Sequence, residues 1–348
     1  MKILVLSGGI SPERDVSLSS GAMIATALSE RGHSVAYCDS YIGFDGDAQA
    51  QFKTGLTYSY TIPADEPELA ALRREYSVRN GGGELGRGIL DACRIADVVF
   101  IALHGGIGEN GQLQATLDTF GVRYTGSAAL GSAMAMDKDI SKRIFRESNI
   151  PTADWLYFDM RKTGTNAAFE QIRSKIGFPC VVKPTGCGSS VGVSIVSDDD
   201  ALNTALSLAE SYETSLICEK MIRGREFSVG VLDGAALPVI EIIPKSGWYD
   251  YKNKYQSGST TEITPAPLGS ALTARAQRLA ENAHTALRLG GYSRADFILD
   301  EASGDFICLE INNLPGMCPT SLIPQEAAAV GIAYGELCER ICRLGLEK

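Results

Sequence analysis

Two apolar runs constrain the fold more than any other feature of the chain. KILVLSGG at residues 2–9 and ADVVFIALHGG at residues 96–106 are rich in Val, Ile and Leu, and each ends in a glycine pair. Runs without polar alternation read as strands covered on both faces, as in a parallel sheet. Between them, Val16 to Arg31 has helical periodicity with Asp15 placed as N-cap, and VAYCDSY reads as a further strand. GQLQATLDTFG follows the second run as another helix. Strands and helices that alternate, with turns at the strand ends, predict an open, doubly wound α/β domain over residues 1–125. Residues 42–88 are polar and irregular, an insertion in that pattern.

The texture changes from Gly126. Helical segments run through AALGSAMAMDKDISKRIFRESN, with Pro151 ending them, and FPCVVKPTGCGSSVGVSIV reads as two strands around a small-residue loop. With the strand TSLICEKMI this forms a central α+β domain, 126–222. A third domain, 223–348, holds GREFSVGVL, the long loop PKSGWYDYKNKYQSGSTTEITPAPL, a helix at Ser270–Leu289, a hairpin and a terminal helix. The fold class is therefore α/β: three consecutive α/β and α+β domains with an N-terminal doubly wound parallel sheet. The length of 348 residues agrees with two or three domains.

Composition excludes several functions. The net charge of −10 disfavours a nucleic-acid or anionic-membrane surface. No apolar stretch approaches about 18 residues, so no membrane span is expected, and the first apolar run is too short for a signal peptide. Nine cysteines without a CxxC pair, and only His33, His104 and His284, fit neither a disulfide scaffold nor a thiolate–imidazole zinc site. They point to a reducing cytoplasm.

The hairpin SRADFILDEASGDFICLEINN places acids among apolar residues. Glu310 and Asn312 leave the same face of a strand. Asp296 joins them if Asp300 pairs with Phe306 across the five-residue turn EASGD, which sets Asp296 opposite Glu310 and Arg294 opposite Asn312. Two carboxylates so close need a cation or a shared proton. One reading is a divalent metal: two carboxylates and an amide, all oxygen donors, suit magnesium or manganese. The other is a solvated sheet face on which Arg294 neutralises an acid.

In VVKPTGCGSSVGV, Lys183 ends a strand and Gly186, Gly188, Ser189, Ser190 and Gly192 follow before the next. Such a loop is either a plain glycine hairpin or a flap whose N–H groups and hydroxyls approach phosphate oxygens. It is neither a Walker loop nor a dinucleotide fingerprint. SGGISPERDVSLSSG and LHGGIGENGQLQ lie at carboxyl ends of the parallel strands, where open α/β sheets bind ligands, and contribute Glu13, Ser17, His104 and Glu109. The loop YDYKNKYQSGST, with Lys254 and Tyr255, is either a disordered segment or an active-site lid.

Taken in order, GGISPERDVSLSSG, HGGIGENGQLQ, YTGSAALGSAMAMDK, VVKPTGCGSSVGVSIV, KYQSGSTTEITPAP, RADF and EINNLPGMCPTSLIP make the chain resemble the D-alanine–D-alanine ligases of the ATP-grasp superfamily over nearly its whole length. Asn110, Asn313 and Cys318 depart from the family pattern, and the insertion after Tyr41 is longer. The resemblance implies ATP between the second and third domains. It assigns Lys138, Lys183 and Lys254 to the nucleotide, Ser189 and Ser190 to its phosphates from the flap, Glu219 to Ile222 (with Lys220) to adenine, and Glu226 to ribose. Asp296, Glu310 and Asn312 would hold two magnesium ions, or manganese. Glu13, with Val16, Ser17 and His104 nearby, would receive the first D-alanine. Arg294 and the Gly316 N–H would meet the oxyanion, and Ser321 and Leu322 would seat the second D-alanine, with Ser321 linked to Glu13 through Tyr255. A homodimer is implied as well.

The activity implied is ATP-dependent joining of two D-alanines through a D-alanyl phosphate, for peptidoglycan precursors. D-serine or another D-amino acid as acceptor is the close alternative. The Lys254–Tyr255 pair goes with peptide-forming members and disfavours D-lactate. A catalytically silent nucleotide-binding regulator is disfavoured by the intact charges, and a different ATP-grasp ligase by Glu13, Tyr255 and Ser321 occurring together.

Overall fold

The computed structural model describes residues 1–63, 65–245 and 259–347. Among them, three sheets follow one another along the chain. β1 (Lys2–Ser7), β2 (Ser34–Asp39) and β3 (Val98–Ile101) form a parallel sheet in the order β2-β1-β3. Ile3 to Leu6 of β1 and all of β3 are buried, as two-sided burial of an apolar run requires. Helix α1 (Arg14–Glu30) crosses between β1 and β2. Its N-cap position is Glu13 rather than Asp15, whose carboxylate instead accepts from the Tyr60 hydroxyl at 2.5 Å. Gly21 brings α1 close to β1, since a Cβ there would lie 2.6 Å from the Ser7 Cβ.

The insertion is irregular apart from a short 3-10 turn and α2 (Leu69–Tyr76); α3 (Ile89–Ile95) follows it, and α4 (Gly106–Glu109) and α5 (Gln112–Thr119) follow β3. The next two helices are separate: α6 (Ala129–Met136) stops before Asp137, which caps α7 (Lys138–Glu147). Pro151 does not end α7. Asn149 does, at φ 56°, and the Ile150 N–H returns to the Phe145 carbonyl at 2.8 Å.

The second sheet is antiparallel, in the order β4-β7-β5-β6, from β4 (Trp155–Asp159), β5 (Cys180–Pro184), β6 (Ser194–Val196) and β7 (Ser215–Lys220). α8 (Met160–Thr163), α9 (Thr165–Lys175) and α10 (Asp199–Tyr212) accompany it. The third sheet is also antiparallel. Its path is β11-β10-β8-β12-β13, with β9 paired to β8. The strands are β8 (Gly224–Leu232), β9 (Ala235–Ala236), β10 (Ile240–Pro244), β11 (Thr260–Ile263), β12 (Tyr292–Asp300) and β13 (Phe306–Asn312). α11 (Ser270–Ala286) packs on this sheet; α12 (Leu322–Ala329) packs on β8. The last helix, α13 (Tyr334–Leu346), returns to the first sheet and packs against α1 and β3.

Among the described residues the three large cores follow the sheets, but not the order of the chain. The core around β1–β3 takes Leu337, Cys338, Ile341 and Cys342 from α13. The core of the third sheet takes Ala135, Phe145 and Ile150 from the α6–α7 region. The second sheet builds its own core with α9 and α10.

Candidate active site

A cleft of about 710 Å³ opens between the second and third sheets. One wall is built by β5 and β7, whose antiparallel register sets Lys183 near Glu219. Lys183 Nζ lies 2.5 Å from Glu219 Oε1, and the other oxygen, Oε2, lies 2.8 Å from the Nζ of Lys142 on α7. Burial pushes the Glu219 carboxyl up, but the two ammoniums outweigh it and hold it below the ordinary value. Lys220, Ile222 and Glu226 line the same cleft.

The facing wall is the hairpin. Arg294 pairs with Asn312 and Asp296 with Glu310, the register that the alternation predicts. The turn differs. Leu299, not Asp300, pairs with Phe306, because Asp300 begins the turn itself: its carboxylate accepts the Ser303 N–H at 3.0 Å and hydroxyl at 2.7 Å, and Gly304 takes φ 70°. A β-bulge then makes up the residue. Phe297 faces Cys308 while Asp296 faces Glu310, so Leu309 is the extra residue on β13.

Each of the paired acids has a cation beside it, and for Asp296 it is Arg294. Its Nε and Nη2 donate to the two oxygens of Asp296 at 2.9 and 2.8 Å. Asn312 Nδ2 and the Ser228 hydroxyl add donors at 2.9 and 2.6 Å. Lys138 Nζ approaches Glu310 Oε2 at 3.6 Å and donates to the Cys187 carbonyl in the flap at 2.7 Å. Lys138 thus spans the cleft from the first turn of α7, where Asp137 fixes the helix by accepting from the N–H groups of Asp139 and Ile140.

The flap between β5 and β6 is anchored at its base by Glu213, which accepts the Gly186 N–H at 2.7 Å. Its left-handed residues are Ser189, Ser190 and Gly192 rather than Gly186 or Gly188. At its tip the Ser189 hydroxyl donates to Glu13, so the flap reaches across to the first sheet. Glu13 and His104 are buried there beside the half-buried Glu109, with His104 Nδ1 3.7 Å from Glu109 Oε1. Burial lowers the imidazole's pKa, but Glu109 and Glu13 outweigh it and the net shift is upward. Burial likewise raises the Glu109 carboxyl. Val16 sits half-buried in the first turn of α1. The Ser17 hydroxyl clamps two strand ends, accepting from Gly8 N–H at 2.8 Å and donating to the Ala102 carbonyl at 2.6 Å.

Beyond the hairpin, a Cβ on Gly316 would lie 3.1 Å from Ser321 Oγ, so these two positions adjoin. Ser321 is the N-cap position of α12, and Leu322 is buried with Ile240 and Ile242. Lys254 and Tyr255 lie outside the described residues.

The family profile described as D-ala D-ala ligase N-terminus matches residues 2–127, and that described as D-ala D-ala ligase C-terminus matches 144–343. The chain belongs to the D-alanine–D-alanine ligase family. Its fold is the ATP-grasp fold. The D-alanine–D-alanine ligase of Pediococcus pentosaceus is 42% identical over 355 residues, covering 100% of this chain and 98% of that protein. The Nitratidesulfovibrio vulgaris ligase is 38% identical, covering 99% and 98%. Among solved structures, the Bacillus anthracis ligase superposes with TM-score 0.78 at 30% identity, covering 100% of this chain and 98% of that one. The same enzyme complexed with ATP gives 0.74 at 28%, with the same coverage.

Two of the departures from the D-alanine–D-alanine ligase pattern, Asn110 and Asn313, make side-chain hydrogen bonds. Asn110 Oδ1 accepts the Gln112 N–H at 3.0 Å at the start of α5, and Asn313 Nδ2 donates to the Glu109 carbonyl at 3.1 Å. Asn313 thereby ties the end of the metal-candidate strand to the His104–Glu109 loop. The Cys318 carbonyl accepts the Ser321 N–H at 2.7 Å. Residues that sequence reasoning missed are Lys142, Ser228, Glu213 and Arg14, whose guanidinium pairs with Asp39 and donates to the Gly9 carbonyl at 2.6 Å. Ser228 carried a faint signal, as a polar residue in a run otherwise facing a core. The donor set of Asp296, Glu310 and Asn312 fits magnesium or manganese: hard oxygen donors on one sheet face, two of them acids in cross-strand register. No group of three His, Cys, Asp or Glu side chains suited to a metal occurs among the described residues.

Proposed function

We propose that the chain joins two molecules of D-alanine at the expense of ATP, forming D-alanyl-D-alanine through a D-alanyl phosphate for peptidoglycan precursor synthesis. The observation that carries this is a single continuous site. Lys138, Lys183, Asp296 and Glu310 line one cleft, and a flap from its wall touches Glu13 at the neighbouring sheet.

A carboxylate is a poor electrophile, and transfer of the γ-phosphoryl group gives it a leaving group. That transfer needs positioning and charge neutralisation more than a nucleophilic side chain. Lys138 and Lys183 hold the phosphates, and Ser189 and Ser190 close on them from the flap. The segment from Glu219 to Ile222, including Lys220, holds adenine, while the Glu219 carboxylate itself pairs with Lys142 and Lys183, and Glu226 takes the ribose. Asp296, Glu310 and Asn312 would hold magnesium, or manganese, whose charge neutralises the triphosphate. Glu13 steadies the first D-alanine's ammonium, beside Val16, Ser17 and His104. Arg294 and the Gly316 N–H stabilise the oxyanion formed when the second amine attacks. Ser321 and Leu322 seat that second D-alanine, and Lys254 and Tyr255 keep water from the acyl phosphate.

We assign these parts to residues 1–125 for the first amino acid, 126–222 for the nucleotide and 223–348 for metal and acceptor, with the α6–α7 region packed in the third core and α13 in the first. No helix among the described residues is long and apolar enough to cross a membrane, and all nine cysteines are free thiols, which supports a cytoplasmic setting. A homodimer is the assembly we propose, to be read from light scattering. The function is tested by phosphate release from ATP with purified protein, offering D-alanine alone, then with D-serine or D-lactate, and weighing the products. D-alanyl-D-alanine as the main product is expected; no D-alanine-dependent phosphate release would sink the reading.

A further inference from the structure

Lys142 does not line the cleft, and its side chain is fully buried at 0% exposure. Its Nζ lies 2.8 Å from Glu219 Oε2, donates to the Thr152 hydroxyl at 2.7 Å and sits 5.6 Å from the centre of the Trp155 ring. The Thr152 hydroxyl in turn donates to the Cys308 carbonyl at 2.8 Å, on the strand that carries Glu310. One carboxylate therefore serves two ammoniums, a sealed one from Lys142 and one from Lys183 at the cleft wall.

A buried anion stripped of its only partner is strongly disfavoured. Were Lys183 the sole counter-ion of Glu219, a phosphate could draw it away only by leaving that anion bare, and Lys183 would stay parked. With Lys142 behind it, Glu219 keeps a partner while Lys183 turns to a ligand, and the trio carries one excess positive charge. We propose that Lys142 is a positioning residue that keeps Glu219 paired and so frees Lys183 for the phosphates of ATP. Burial pulls the Lys142 ammonium down and Glu219 only partly restores it, whereas for Lys183 the acids outweigh burial. The inference rests on the reading of the cleft as the ATP site.

The test is ATP binding by calorimetry, with magnesium, to the full chain and to Lys142→Met, Glu219→Gln and the double variant. Lys142→Met should weaken ATP by about tenfold or more, the scale of one hydrogen bond to a charged group, and leave the KM for D-alanine within about twofold. On the Glu219→Gln background, where no anion needs a partner, the same change should shift affinity by less than about twofold. Equal penalties on both backgrounds, as a purely structural role would give, overturn the proposal, as does no penalty in the first. If Lys142→Met does not fold, Glu219→Gln against the double variant decides: tenfold weaker binding in the double overturns it. An unmodified chain that fails to bind ATP sinks the assignment of the cleft instead.

Discussion

Two glutamates show how differently this protein treats a buried acid. Glu219 has two ammoniums and is held ionised. Glu326 on α12 is fully buried, accepts the Gly230 N–H at 2.8 Å through Oε2, and has no hydrogen-bond partner among the described residues for Oε1. Only glycine admits it, since a Cβ on residue 230 would lie 2.3 Å from Oε2. Burial raises its pKa well above 4.5, more than the Gly230 N–H and Arg294 lower it. Below the unfolded value both states are protonated and the group has no net effect. As pH rises past it, the unfolded chain loses its proton first and stability falls. Glu326→Gln cannot ionise, so it should gain on the parent between about pH 4.5 and 7, by at most about 1.4 kcal/mol per pH unit. Denaturant unfolding at the two ends of that range measures it; a constant difference would contradict a neutral Glu326.

At the scale of elements, α7 positions chemistry through its cap. Asp137 satisfies two N–H groups at 2.9 and 3.0 Å and so fixes the turn that carries Lys138. Asp137→Ala should cost about 1 kcal/mol and raise the KM for ATP more than that for D-alanine; equal rises would mean the cap does not serve Lys138. The hairpin shows what alternation reveals and what it hides. It revealed which residues share a face, because side chains alternate strictly. It hid the bulge at Leu309 and the earlier turn at Asp300, which shift the register twice and cancel before Asp296. Lys142 was illegible for another reason. On a helix with Lys, Arg and Glu around it, nothing local marks one lysine as buried; the partner that buries it comes from β7, far along the chain.

At the scale of the whole molecule, the sheets and their order were readable from β-branched runs and glycine turns, but the sharing of cores was not. Amphipathic spacing tells that α13 has an apolar face, not which surface it covers. That surface is the first sheet, where Leu337 and Ile341 are fully buried. Ile341→Ala should cost about 2–5 kcal/mol, and hydrogen exchange should quicken in β1–β3 while the second sheet keeps its protection. Uniform quickening of all three sheets would show instead that they open as one unit.

The return of α13 also sets an order of manufacture. A ribosome delivers β1–β3 early, yet the helix that seals their flank comes from residues 334–346. Through most of synthesis an oily patch stands open to chaperones and to other nascent chains. The part made first is the part finished last.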